Sequence, residues 1–328
     1  MRIAIDAMGG DHAPGEIIQG AILALDLRKD LHIILVGQED VIKKYLPHQQ
    51  STDQLSIVHC TEVIEMADHP ATAYRKKKDA SITVATRLVK EGLADAVVSA
   101  GSTGGQMVAA LFGLGRLEGV DRPAIGTVFP TLQGPKLLLD AGANTDCKPE
   151  NLVQFAQMGQ VYAKQILGIE KPRTALISNG EEETKGNELV VKSHELLKNS
   201  SDINFIGNIE GREVLSGNAD VMVCDGFVGN IVLKVLEGTA GTIFTLLKSE
   251  LGKSTRTKLG ALLLMPALKS LKGRLDYSEY GGAPLIGVKG VSIICHGSSK
   301  APAIKNAIRA AINCVENDFV GALAQSIK

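Results

Sequence analysis

The stretch that decides the fold is Ala96-Val97-Val98-Ser99-Ala100-Gly101-Ser102-Thr103-Gly104-Gly105-Gln106-Met107-Val108-Ala109-Ala110. Its apolar start reads as a buried strand, its glycines and hydroxyls as a turn, and the apolar spacing through Leu111 and Leu114 as a helix. Such a connection builds an anion site, because the first backbone N–H groups of a helix lack partners and sit at the positive end of its dipole. Glycine there lets the backbone approach a ligand with no Cβ in the way. A single loop of this kind is an ordinary strand-to-helix connection, and its repetition along the chain is what gives it meaning.

Upstream, Ile3-Ala4-Ile5 is an apolar strand running into Asp6-Ala7-Met8-Gly9-Gly10-Asp11-His12-Ala13-Pro14, and Pro14 suits the first turn of the helix that follows. Downstream, strands end in Asp140-Ala141-Gly142, Ser178-Asn179-Gly180, Cys224-Asp225-Gly226 and Cys295-His296-Gly297. Strands alternating with helices predict an α/β chain with a three-layer α/β/α architecture and a mostly parallel sheet. One domain over residues 1–328 is expected, with a basic apolar helical excursion at about 255–275. Asp6/Gly9, Ser99/Gly101, Asp140/Gly142, Asn179/Gly180, Asp225/Gly226 and His296/Gly297 carry the same chemistry at six strand ends. In an open α/β sheet the carboxyl ends lie along one edge, where ligands bind, so the six are expected to form a common rim. Turns favour Gly, Asn and Asp in any case, so the weight lies in their number and in the company of Ser102, Thr103, Lys185, Asn230 and Ser298.

Composition narrows the chemistry. The chain has 328 residues, 45% of them hydrophobic, and a net charge of −1, which gives no global attraction to nucleic acid or to an anionic membrane. Cys60, Cys147, Cys224, Cys295 and Cys314 are odd in number and lack CxxC spacing, which argues against a disulfide framework and a zinc site and fits a reducing, cytoplasmic setting. No signal peptide is read at Met1-Arg2, and no apolar run reaches the roughly 18 residues of a membrane span. The phosphate-loop, dinucleotide and nucleophile-elbow fingerprints are absent, so no cofactor and no metal are called for. Arg75, Lys76, Lys77 and Lys78 form a cationic run ahead of a helix, which is either a solvated face or one that meets phosphate or an acidic partner. Leu259 to Leu271, divided by Pro266 and flanked by Lys258, Lys269, Lys272 and Arg274, reads as a pair of short helices suited to a dimer seam, an acyl lid or a membrane contact.

Taken together, Asp6 to Pro14, Arg75 to Ser81, Ser99 to Gln106, Asp140 to Asn144, Ser178 to Asn187, Asp225 to Asn230 and Tyr280 to Gly287 resemble the bacterial phosphate acyltransferases of phospholipid synthesis over essentially the whole chain. The resemblance implies the isocitrate/isopropylmalate dehydrogenase-like fold and a homodimer with peripheral membrane association. It also implies acyl transfer from acyl carrier protein to inorganic phosphate, and a membrane glycerol-3-phosphate acyltransferase as consumer of the product. Phosphate is already a dianionic nucleophile near neutral pH, so no covalent enzyme intermediate is required. On this reading Ser102, Thr103 and Gly104 take phosphate with Lys185, Asn230 takes the oxyanion, and Asn179 belongs to the same polar rim. His296 either protonates the leaving thiolate or is structural, while Asp6 and Asp225 orient cations. Either Arg75 to Lys78 or Lys269, Lys272 and Arg274 dock the acidic carrier. A metal- and NAD-dependent dehydrogenase of the same fold and a non-catalytic scaffold are the alternatives.

Overall fold

The computed structural model describes residues 1–46, 52–275 and 281–327. Its strands are β1 (Arg2–Asp6), β2 (His32–Gly37), β3 (Leu55–His59), β4 (Ala96–Ser99), β5 (Ala124–Thr131), β6 (Gly134–Leu139), β7 (Thr174–Ser178), β8 (Phe205–Glu210), β9 (Val221–Val223), β10 (Ala283–Ile286) and β11 (Val291–Ile294). They form one sheet in the order β3-β2-β1-β4-β11-β10-β5-β6-β9-β7-β8. The helices are α1 (Gly15–Ala24), α2 (Glu39–Tyr45), α3 (Pro70–Lys76), α4 (Ser81–Lys90), α5 (Thr103–Ala109), α6 (Pro149–Gln165), α7 (Glu188–Lys198), α8 (Gly226–Leu251), α9 (Thr255–Leu275), α10 (Ala301–Glu316) and α11 (Phe319–Ser326).

Strand alternation puts the core on both faces. Ile3, Ile5, Val98, Leu137, Leu139 and Val223 point to one face, where they pack with α1, α6, α10 and α11 in a cluster that spans the sheet. Their neighbours point the other way into separate clusters. Ala4, Ile34 and Val97 meet α4, whereas Leu138, Ala175 and Met222 meet Val228, Val232 and Leu236 of α8. Between these two clusters the second face is covered only by the small group of Ile125, Ala141, Leu285 and Ile294. That thinly covered middle is where a cleft can open.

The pairing explains why the six strand ends do not share one rim. β10 runs antiparallel to both β11 and β5, and β5 and β6 form an antiparallel hairpin. Consequently β6, β9, β7 and β8 run opposite to β1, β2, β3, β4 and β11. Asp6, Ser99 and His296 therefore leave one edge of the sheet, and Asp140, Asn179 and Asp225 leave the other. A second difference concerns Pro266, which sits inside α9 rather than dividing it into two helices. The proline removes one N–H from the ladder, and the flanking leucines keep the helix continuous. A third is that α8 also has the length and apolar composition of a membrane-crossing helix, although none of that window is buried. The side chains of Lys272 and Arg274, and Tyr280, lie outside the described residues.

Two buried carboxylates fix the second half of the sheet. Asp140, fully buried, accepts N–H groups from Ile125, Gly142, Ala143 and Asn144 at 2.7–3.1 Å, so it closes the turn after β6. Asp220 accepts from Lys136 Nζ at 2.5 Å and from Arg173 Nε at 2.9 Å. Burial opposes its charge, but Arg173 and Lys136 outweigh that and hold Asp220 down to about 2.

Candidate active site

Asp6 and the loop after β4 meet through glycine. A Cβ on Gly9 would stand 2.5 Å from Asp6 Oδ2 and 2.8 Å from Gly101 N, so the two loops touch only because Gly9 has no side chain. Ser99 Oγ donates to Asp6 Oδ2 at 2.7 Å and accepts the Gly101 N–H at 3.0 Å. Burial pushes the Asp6 carboxyl above its ordinary value against these donors. Asp6 thus holds the glycine loop in place, and among the described residues its hydrogen bonds go to hydroxyls and backbone N–H groups rather than to a cation.

Ser102 caps α5 by accepting the Gly105 N–H, and Thr103 and Gly104 begin the helix. Gly104 packs against Pro70 at the start of α3, with room for no Cβ there. On the opposite edge Asp225 caps α8, its carboxylate accepting the Val228 N–H at 2.8 Å. Asp225, like Asp6, orders backbone rather than cations. Gly229 then passes the carbonyl of Asp140 at a distance that leaves no space for a Cβ, so α8 is laid tightly across the end of β6.

This placement aims α8 back over the thinly covered middle of the sheet. Asn230, Leu233, Lys234 and Glu237 lie on one face of the helix and line a cavity of about 530 Å³. Gly101, Thr103, His296 and Gly297 line the same cavity from the first edge, and Ile125, Thr127 and Ala141 line it from the second half. The sheet ends that strand direction separates are rejoined by one helix. Asn230 stands over Gly142, where a Cβ would come within 3.6 Å of it.

A charged relay closes one wall. Lys234 Nζ donates to Glu237 Oε2 and to His296 Nε2, both at 2.9 Å. On its other side His296 Nδ1 lies 2.7 Å from Ser298 Oγ and 3.2 Å from the Ser298 backbone N–H, so the ring is held from both nitrogens. Cys295 also borders the cavity, but burial pushes its thiol up to about 12, which keeps it a thiol rather than a thiolate nucleophile.

The structure brings Thr103, Asn230 and His296 together on this cavity, with Ser102, Gly104, Asp6 and Asp225 supporting its walls. Asn179 and Lys185 lie in the loop after β7, exposed, and neither lines the cavity. Arg75 and Lys76 are exposed at the end of α3, and Lys77 pairs with Asp68 at 2.6 Å. The residues that sequence reasoning missed are Lys234 and Glu237. Their signal was present: four and seven residues beyond Asn230, they fall on its face of a helix.

Residues 1–321 match the family described as fatty acid synthesis protein. A phosphate acyltransferase from Heliobacterium modesticaldum is 59% identical, over 100% of this chain and 98% of that protein. One from Pelotomaculum thermopropionicum is 57% identical over 100% and 95%. The chain belongs to this family. It is an acyltransferase. Among solved structures, a phosphotransacetylase from Streptococcus pyogenes superposes with a TM-score of 0.65 at 18% identity, covering 97% of this chain and 94% of that one. A 4-hydroxythreonine-4-phosphate dehydrogenase from Klebsiella pneumoniae gives 0.54 at 13%, covering 96% and 98%. The chain thus shares its α/β architecture with a phosphotransacetylase and a dehydrogenase.

Proposed function

We propose that the protein transfers a fatty acyl group from an acyl carrier protein to inorganic phosphate, giving acyl phosphate and the free carrier thiol. The supporting observation is the single cavity in which the Thr103 helix start, the Asn230 amide and the Lys234 ammonium converge beneath apolar walls. The curated relatives named phosphate acyltransferase support the acceptor.

In this reading phosphate sits against Thr103 and its N–H, with Lys234 as counter-charge. A phosphate oxygen forms a bond to the acyl carbon, the C–S bond breaks, and the proton of hydrogen phosphate ends on the departing sulfur. Asn230 donates to the oxygen on which charge gathers as the carbonyl becomes tetrahedral. His296 and Glu237 hold Lys234 in place, and the imidazole Nε2 offers a relay for the proton. Lys185 and Asn179 remain candidates for the phosphate only through closure of the loop after β7. Homodimer formation belongs to the same reading, as does contact of the exposed α8–α9 arm with the membrane where a glycerol-3-phosphate acyltransferase would use the product.

The test is direct. Carrier protein loaded with a fatty acyl thioester is incubated with enzyme with and without phosphate, free thiol is counted, and acyl phosphate is trapped with hydroxylamine. Phosphate-dependent, equal yields of both are expected. Thiol release that ignores phosphate would make the protein a thioesterase and reject the acceptor.

A further inference from the structure

A second cavity, of about 400 Å³, is lined by Met107, Leu111, Phe112, Arg116 and Leu285 among others. It backs onto the first, since Met107 and Leu285 pack in one cluster with Ile125 and Ala141. Beyond α5 the helix makes a π turn over Ala110–Leu114, and Phe112 stands 63% exposed on it. The ring is held, not loose: it stacks on Tyr74 at 6.0 Å between centroids, and Lys78 Nζ lies 4.9 Å over that tyrosine ring. Exposed Arg75 and Lys76 continue the cationic edge, and among the described residues neither forms an ion pair, whereas Lys77 is spent on Asp68.

We propose that this face, from Lys78 across Tyr74 and Phe112 to Arg116, docks the acidic helical carrier that presents the acyl thioester. The inference rests on the carrier-borne substrate argued above. An amphipathic acidic helix would lay its apolar side on Phe112 and its carboxylates on the cations at either end. Arg116 is shared with Asp121 at 3.8 Å, while Lys78, Arg75 and Lys76 face solvent, and a rigid aromatic anchor rimmed by exposed cations is the composition that concentrates binding energy in an interface. With a net charge of −1 the chain attracts no anion globally, so an acidic partner has to be met by such a local patch. From Thr103 at the first cavity to Phe112 is about 13 Å of helical rise, a span for a flexible tether to cross.

Phe112→Glu and Lys78→Glu test it, with two donors compared: the acyl thioester of acyl carrier protein and the acyl thioester of free pantetheine. The expected result is a KM for the acylated carrier protein raised at least tenfold, with kcat and the phosphate KM unchanged. Lys78→Glu should also flatten the salt dependence of that KM. Turnover of the pantetheine thioester should equal the parent's. An unchanged carrier KM overturns the proposal, as does an equal loss with both donors. A change of sedimentation from dimer to monomer in Phe112→Glu would instead make the face a contact between copies and overturn it too. A parent enzyme that uses the pantetheine thioester but no acyl carrier rejects the docking surface alone. A parent that uses neither rejects the reading of the catalytic cavity first.

Discussion

In the proposed reaction two lysines, Lys234 and Lys185, are candidates for the phosphate, and their position relative to the cavity separates them. Lys234 borders it with two fixed partners, while Lys185 stands exposed on a loop outside its lining. Lys234→Ala should lower turnover by about 10²–10³, the scale of losing a preorganised charge at a developing anion. Because Lys234 is partly exposed, the variant should keep its circular dichroism and melting temperature. Lys185→Ala should lose less, and equal losses would bring the loop after β7 into the reaction. Asp220 is a residue of another kind, with a side chain only 5% exposed between Lys136 and Arg173. Its pKa is lowered in the fold, so its contribution is complete well above the ordinary value near 3.8 and drains away as pH falls through about 2. The shift corresponds to about 2 kcal/mol. Asp220→Asn, which leaves Lys136 buried and unpaired, should cost about 3–5 kcal/mol at pH 7. Urea midpoints at pH 7 and pH 2.5 check this, and a gap between parent and variant that does not narrow in acid would refute it.

At the scale of elements, α8 decides whether the site exists, and Gly229 decides where α8 lies. A methyl group at Gly229 would overlap the Asp140 carbonyl oxygen, so the helix has to lift from the end of β6. Gly229→Ala should lower stability by about 1–3 kcal/mol, the range for overpacking. It should also raise the phosphate KM as Asn230 and Lys234 leave the cavity; Gly241→Ala on the same helix, where a Cβ meets nothing, is the control. Normal phosphate KM in Gly229→Ala would disconnect helix position from the site. Strands β1, β4, β6, β7, β9 and β11 were legible because each is a short apolar run ending in Gly beside Asp, Ser, Asn or His. Direction was not read, although Thr131-Leu132-Gln133-Gly134, with Gly134 at φ 92°, is a hairpin turn between two such runs. β8 was missed because Phe205–Glu210 alternates weakly and carries Gly207 at an edge of the sheet. Thr103, Asn230 and His296 were found from loop chemistry, which is local. Lys234 and Glu237 were not, since they reach the site by helix geometry, Lys234 touching His296 across 62 residues of sequence and Glu237 touching Lys234.

For the whole molecule, the unusual feature is how much apolar surface the α8–α9 arm leaves in the open. Leu259, Leu262 and Leu263 are 67%, 72% and 79% exposed, and Ile243 and Leu246 on α8 are exposed beside them. A patch of this kind marks a contact with protein or lipid. The near-neutral chain brings no general charge attraction, so if the arm is the lipid contact, its own leucines supply insertion and its own cations, Arg256, Lys258 and Lys269, supply whatever attraction an anionic surface adds. At about 1.5–3 kcal/mol for each fully buried leucine, two or three suffice for reversible attachment. Leu263→Glu combined with Leu264→Glu should therefore leave the protein in the supernatant when vesicles are pelleted, while the parent pellets. The parent's attachment to anionic vesicles should weaken at high salt, as the arm's cations are screened, but should not be lost while the leucines insert. Turnover in solution should not change, because neither leucine lines the catalytic cavity. Continued pelleting of the double variant would move the lipid contact elsewhere, and a variant that stays off vesicles but sediments as a smaller species would assign the arm to contact between copies.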